Sequence, residues 1–181
     1  MNDSSVDISV VPARADWLEA LTEGDNVFAA RFGVAVERDW IGFPESLAPA
    51  LDGARRRPDD PWGTQLFFDR ADGALVGIGG FKGPPRDGAV EIGYAVAPAR
   101  QGRGIATRAV SVLVERARSA DVFTVTAHTL AAENASTAVL RKSGFRRAAE
   151  LPDGELGTVW RWELTLTPAD QVGESSAGSV P

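Results

Sequence analysis

The stretch from Val90 to Thr129 constrains the fold more than any other part of the chain. Glu91-Ile92-Gly93-Tyr94-Ala95-Val96-Ala97 reads as a strand that Pro98 helps to end. Gly102-Arg103-Gly104 then turns the chain into a helix with Ile105, Ala109, Val112, Leu113 and Ala117 on one face. Val122 to Thr129, β-branched and alternating, follows as a second strand. A strand, a helix packing on the sheet and another strand make the two strands parallel. The turn has a chemical meaning as well. Backbone N–H groups converge at the positive end of a helix dipole, which is a phosphate-binding arrangement. Gly102 and Gly104 lack a Cβ, so a pyrophosphate can approach the main chain, and Arg100 and Arg103 add positive charge.

The rest of the chain adds antiparallel elements. Asp7 to Arg14 reads as an edge strand because of Pro12, and Asp16 as the cap of a short helix with Trp17, Leu18 and Leu21, stopped near Gly24. A second helical region includes Glu45 to Arg56, with Leu47, Leu51 and Ala54 on one side. Gln65–Asp69, Ala74–Phe81 and Ala89–Val96, joined by Asp/Gly and Pro/Gly turns, form a meander. Asn134 to Ser143 is a helix with Gly144 placed as a left-handed C-cap. Phe145–Leu151 and Gly157–Thr165 form a last hairpin across Pro152-Asp153-Gly154. The expected architecture is α/β: a mixed, largely antiparallel sheet of about seven strands with flanking helices. One domain is expected over residues 1–167, with 168–181, rich in Gly, Ser and Ala, as a flexible tail.

Composition removes several function classes. The 181 residues are 44% apolar and 24% charged, ordinary for a globular chain. There is no apolar run of eighteen residues, which argues against a membrane span, and Met1-Asn2-Asp3-Ser4-Ser5 lacks the features of a secretory leader. The expected location is therefore the cytoplasm. With no cysteine there is no disulfide, thiolate metal site or cysteine nucleophile. A net charge of −6 argues against nucleic acid as a partner and suits a cationic acceptor. Arg55-Arg56-Arg57, followed by Pro58, reads as a solvated helix end. No metal-ligand cluster, P-loop lysine or catalytic triad is present.

Two motifs together resemble a known family. Gln101-Gly102-Arg103-Gly104-Ile105-Ala106 fits the pyrophosphate loop Q/R-x-x-G-x-G/A of the GNAT acyl-CoA N-acetyltransferases. About thirty residues later, Glu133-Asn134-Ala135-Ser136 opens a helix ending in Lys142-Ser143-Gly144-Phe145, similar to the RimJ/RimL-like branch. The similarity covers residues 66–145 well and extends loosely to Glu163. It implies a sheet whose fourth and fifth strands splay apart to admit the pantetheine arm. It also implies acetyl-CoA as co-substrate, held by Gln101, Gly102, Arg103, Gly104, Ile105, Ala106, Thr107 and Asn134. The acceptor it implies is an amine, on a protein N-terminus or a small molecule, and homodimers are common among relatives.

Such an enzyme must perform definite chemistry. An alkylamine near pKa 10 is protonated at pH 7, and freeing its lone pair costs about three pKa units, roughly 4 kcal/mol. Some relatives place a glutamate on the strand entering the loop, which makes Glu91 the leading base; the alternative is an exposed strand carboxylate. His128, the only histidine, is a second candidate, and a water chain to backbone carbonyls a third. The resemblance makes the N–H groups around Val96 and Ala97 donors to the pantetheine and acetyl carbonyl. Many relatives carry a tyrosine where this chain has Leu140, which cannot donate a proton. That leaves Ser136 as the group facing the thiol, with Asn134 holding the pantetheine, and both also suit helix capping. Tyr94, the only tyrosine, reads as a core residue with a satisfied hydroxyl. Trp160 and Trp162 share a strand face and suit the core or a dimer contact.

Two other readings compete with direct acetyl transfer. A dinucleotide site would want a third glycine where Thr107 stands, and an acidic residue where His128 and Thr129 end their strand. A non-catalytic acyl-CoA-binding module would keep the loop and lose turnover.

Overall fold

The computed structural model describes residues 6–166. The expected tail at 168–181 lies outside them. Seven strands form one sheet: β1 (Ile8–Pro12), β2 (Thr64–Asp69), β3 (Leu75–Phe81), β4 (Ala89–Val96), β5 (Thr124–Leu130), β6 (Arg146–Asp153) and β7 (Gly157–Thr165). Their spatial order is β1-β2-β3-β4-β5-β7-β6. Every neighbouring pair is antiparallel except β4–β5, which is parallel. This is the mixed, mostly antiparallel sheet expected from the sequence. The single parallel pair is joined by a helix because two parallel strands cannot share a hairpin.

Among the described residues five α-helices cover the sheet: α1 (Ala15–Glu23), α2 (Asp25–Phe32), α3 (Leu47–Arg56), α4 (Ile105–Arg118) and α5 (Ala135–Lys142). None is long and apolar enough to cross a membrane. Two hydrophobic clusters lie on opposite faces. One packs Ile105, Ala109, Val110, Leu113 and Leu140 from α4 and α5 against Val90, Ile92, Val96, Val125, Ala127 and Trp162 of the sheet. The other packs Leu18, Leu21, Phe28 and Trp40 against Leu66, Leu75 and Ile78. Side chains alternate along a strand, so β4 sends Val90, Ile92 and Val96 to the α4 face and Glu91, Gly93 and Ala95 to the other.

Three local details differ from the sequence reading. Asp16 sits inside α1 and binds Arg14 at 2.9 Å, while Arg14 occupies the N-cap position. The helix α2 went unread because it is short and weakly patterned; it docks through buried Phe28. In the second helical region, Pro44–Ser46 forms a 3-10 turn before α3 begins at Leu47. Of the two tryptophans on β7, Trp162 is buried and donates from Nε1 to Thr129 Oγ1 at 3.0 Å.

Candidate active site

The parallel pair does not run its full length. β4 and β5 are in register from Ala89–Thr124 to Ile92–Ala127 and then part. β4 stays with β3 as far as Val96 opposite Gly77, and β5 stays with β7 as far as Leu130 opposite Val159. A wedge therefore opens between Gly93–Val96 and His128–Leu130. Backbone groups alternate in direction along a strand. Glu91 O accepts from Lys82 N–H and Ala97 N–H donates to Val76 O, both at 2.9 Å, so odd-numbered residues of β4 address β3. The backbone of Tyr94 and Val96 faces the wedge. Of the two N–H groups expected to be free, Ala97 is already committed and Val96 is the one that points into the gap.

At the far end of β4 the glycine turn takes the conformation its sequence requires. Gly102 and Gly104 have φ of 73° and 86°, a left-handed region that glycine occupies without strain. A Cβ on Gly102 would meet nothing within 4 Å, and one on Gly104 would make only an ordinary contact with Val6 Cγ2, at 3.7 Å, so neither is crowded by the protein. Arg108 N–H closes a helical hydrogen bond onto Gly104 O at 2.9 Å, and no side chain caps α4. The first-turn donors of Ile105, Ala106 and Thr107 thus present an uncapped helix N-terminus, and an anion is what such an end attracts. Gln101 anchors the loop, donating from Nε2 to Val96 O at 3.1 Å.

Arg100 does something other than the role its sequence suggested. Its guanidinium binds Glu37 at 2.6 Å, Asp69 at 3.0 Å and Asp72 at 2.8 Å, and it is only 15% exposed. Hydrogen bonds first to Glu37 and then to Asp72 raise its pKa above the usual value. In turn Arg100 holds the Glu37 carboxyl below the ordinary range. With each of its three guanidinium nitrogens engaged by a carboxylate, Arg100 clamps the start of the loop to the β2–β3 turn and is not aimed at a phosphate. Arg103 reaches the same Asp69 at 3.3 Å but is 46% exposed, so it keeps freedom to meet an anion.

On the opposite face of the sheet, Glu91 of β4 and His128 of β5 meet. His128 Nδ1 lies 3.1 Å from Glu91 Oε1, and both side chains are partly exposed. In a neutral imidazole donating to this carboxylate, the proton sits on Nδ1 and the lone pair on Nε2. Both residues line a cleft of about 680 Å³. Its floor is made of Gly79, Gly93 and Ala95, and its walls come from residues 43–46 and 151–159.

Near the wedge, on the α4–α5 face, Tyr94 donates its hydroxyl to Ser136 O at 3.2 Å, linking β4 to the start of α5. Burial pushes the phenol well above its usual pKa. Ser136 is half-buried at this junction. Asn134 caps α5: its Oδ1 accepts from Thr137 N–H at 3.0 Å, Thr137 Oγ1 accepts from Asn134 N–H at 3.1 Å, and Nδ2 donates to Ala132 O at 3.1 Å. Leu140 is fully buried, a core residue at the position where many relatives carry tyrosine. The structure thus collects Val96, the Gln101–Thr107 loop and Tyr94–Ser136 around one wedge, with Glu91 and His128 behind it. The sequence reading missed Phe43, Asp153 and Leu156 in the cleft, because irregular segments carry no periodicity to mark them.

The chain matches the acetyltransferase (GNAT) domain family over residues 17–146, and it belongs to that family. The fold and site therefore define an acyl-CoA-dependent acetyltransferase. Among solved structures it resembles RimJ of Mycobacterium smegmatis in complex with CoA-disulfide (20% identity, 93% of this chain and 85% of that chain, TM-score 0.65). It is also similar to yncA, a putative acetyltransferase of Salmonella typhimurium with its cofactor acetyl-CoA (20%, 96% and 99%, 0.62). A third likeness is to a chimera of the Vibrio cholerae spermidine N-acetyltransferase SpeG and hSSAT (13%, 87% and 95%, 0.65). No curated protein sequence matches the chain.

Proposed function

We propose that this protein transfers the acetyl group of acetyl-CoA to a primary amine by direct attack, without a covalent enzyme intermediate. The observation that carries this reading is the wedge after Ile92–Ala127, which has an uncapped helix N-terminus at one end and a Glu91–His128 pair on the far face. Backbone N–H groups from Gly102 to Thr107 would hold the pyrophosphate, with Arg103 alongside. The pantetheine would run along the wedge past Asn134, whose Nδ2 has one hydrogen beyond the cap. Val96 N–H would donate to the thioester carbonyl, where negative charge develops during attack.

His128 Nε2, oriented by Glu91, would receive the ammonium proton, either directly or through one water. Ser136 would face the sulfur as the thiolate departs. The amine would enter from the cleft, so donor and acceptor approach from opposite faces of the sheet and meet in the gap. Such an arrangement lets two substrates be held at once in attack geometry.

The test is release of free thiol from acetyl-CoA with a panel of amines, compared with Glu91→Gln and with Gly104→Glu. Amine-dependent release lost in both variants supports the reading. Binding of acetyl-CoA without release by the wild type would sink it and leave a cofactor-binding module.

A further inference from the structure

We infer that the acceptor is a primary monoamine carried on an apolar group, arylalkyl or branched alkyl, seated against Phe43, Leu151 and Leu156. This rests on the acetyl-transfer reading of the same cleft. Among the described residues five large apolar side chains stand exposed: Phe43 (59%), Phe123 (54%), Leu130 (49%), Leu151 (36%) and Leu156 (52%). Three of the five line the cleft that holds Glu91 and His128. They come from two segments far apart in the chain, the turn before α3 and the β6–β7 hairpin, so one loose loop does not explain their gathering.

Each is also held in place by its own local structure. Phe43 O accepts from Ser46 N–H at 2.9 Å and from Ser46 Oγ at 2.7 Å, closing the 3-10 turn that presents the ring. Leu151 sits in β6 opposite Val159. Asp153 Oδ1 accepts from Leu156 N–H at 2.8 Å and from Glu155 N–H at 2.9 Å, which ties down the hairpin tip. Apolar groups fixed at a cleft and left open to water gain free energy only when something apolar covers them.

The charge around them selects the sign of the ligand. Glu45, Glu91, Asp153 and Glu155 line the cleft, against Lys82 and His128. The backbone N–H groups of Leu156 and then Glu155 keep the Asp153 carboxyl below its usual pKa, so it is ionised at neutral pH. An ammonium group is drawn in and a carboxylate is not. Glu45 and Glu155 are exposed to solvent, where screening leaves little for a second cation to gain. A polyamine would therefore lay methylene and ammonium groups across Phe43 and Leu156 without filling the apolar wall. A monoamine with a bulky apolar group uses both features.

The experiment compares kcat/KM for 2-phenylethylamine, spermidine and an alanine-initiated peptide at saturating acetyl-CoA, with calorimetric binding of 2-phenylethylamine. The wild type is set beside Phe43→Ser and Leu156→Ser, with Phe123→Ser, outside the cleft, as control. These side chains are exposed, so the fold tolerates their loss. The expected result is a preference of at least about tenfold for 2-phenylethylamine, falling roughly tenfold in the two cleft variants through KM and unchanged in the control. A preference for spermidine or the peptide overturns the inference and leaves acetyl transfer standing, as does an equal loss in the control. Binding of 2-phenylethylamine that needs Phe43 and Leu156 but gives no thiol release supports the apolar-amine cleft and overturns acetyl transfer. No binding and no turnover overturn both.

Discussion

Glu91 and His128 stand on adjacent parallel strands with Oε1 and Nδ1 3.1 Å apart, Glu91 on the last rungs and His128 just beyond them, where those strands separate. Because a neutral imidazole donating to Glu91 carries its proton on Nδ1, the two residues should act as one unit. Glu91→Gln and His128→Gln are each expected to lower kcat about 10²-fold or more at neutral pH, within the usual reach of general-base catalysis. The double variant should be little worse than either single one, since groups acting together are non-additive. Steady-state kinetics of the three variants check this, and a multiplicative loss would assign the two residues separate tasks.

Gly104 should not tolerate a side chain in the cofactor complex. Gly104→Ala is expected to cost about 1 kcal/mol of stability from its positive φ, and Gly104→Glu a similar amount. Acetyl-CoA binding separates the two variants: about tenfold or less is lost with alanine and at least about a hundredfold with glutamate, which brings a carboxylate to the proposed pyrophosphate site. Calorimetry beside thermal melts would measure both effects, and equal losses would move the pyrophosphate elsewhere.

Removing Arg100 should loosen the loop without touching the chemistry. Arg100→Ala strips one bond each from partly buried Glu37 and exposed Asp72, and it leaves the buried Asp69 carboxylate to Arg103 and the Ala71 N–H. The expected cost is about 2–3 kcal/mol, from uncovering one partner of a largely buried pair. The KM for acetyl-CoA should rise several-fold while kcat at saturation holds, and Arg100→Lys should rescue only partly because lysine lacks the fork. Urea denaturation and initial rates test the split; a collapse of kcat with KM unchanged would contradict the clamp.

Tyr94 is the one tyrosine, so its titration can be followed alone near 295 nm. Burial raises its folded pKa above the value in the unfolded chain. Above about pH 10 the unfolded chain gives up the phenolic proton while the folded one retains it. This contribution to stability is therefore complete below pH 10 and is lost as pH rises towards the folded pKa. Tyr94→Phe should flatten the alkaline decline of the melting temperature. Tyrosinate absorbance appearing at pH 10 before unfolding would contradict the burial of the hydroxyl.

Much of this molecule was legible in one dimension, for identifiable reasons. Alternation, β-branched runs and turn residues marked all seven strands to within a few residues; β6, which has no fully buried residue, was legible only as the partner of β7 across a Pro/Asp/Gly turn. The Gly102–Gly104 turn was visible because positive φ leaves few residue choices. The short helix α2 was not, since eight residues with one buried side chain leave a weak pattern. The occupation of Arg100 was equally hidden: its partners Glu37, Asp69 and Asp72 lie up to 63 residues away.

The sequence by itself determined the strand–turn–helix unit, the order of elements and the residue types available for acid–base work, all properties of short-range periodicity and backbone preference. Only the tertiary structure decided where β4 and β5 part, that Glu91 and His128 meet on one face, and that Phe43, Leu151 and Leu156 converge at one cleft. Those relationships join residues dozens of positions apart. They follow from sheet register and packing, which local propensity does not encode.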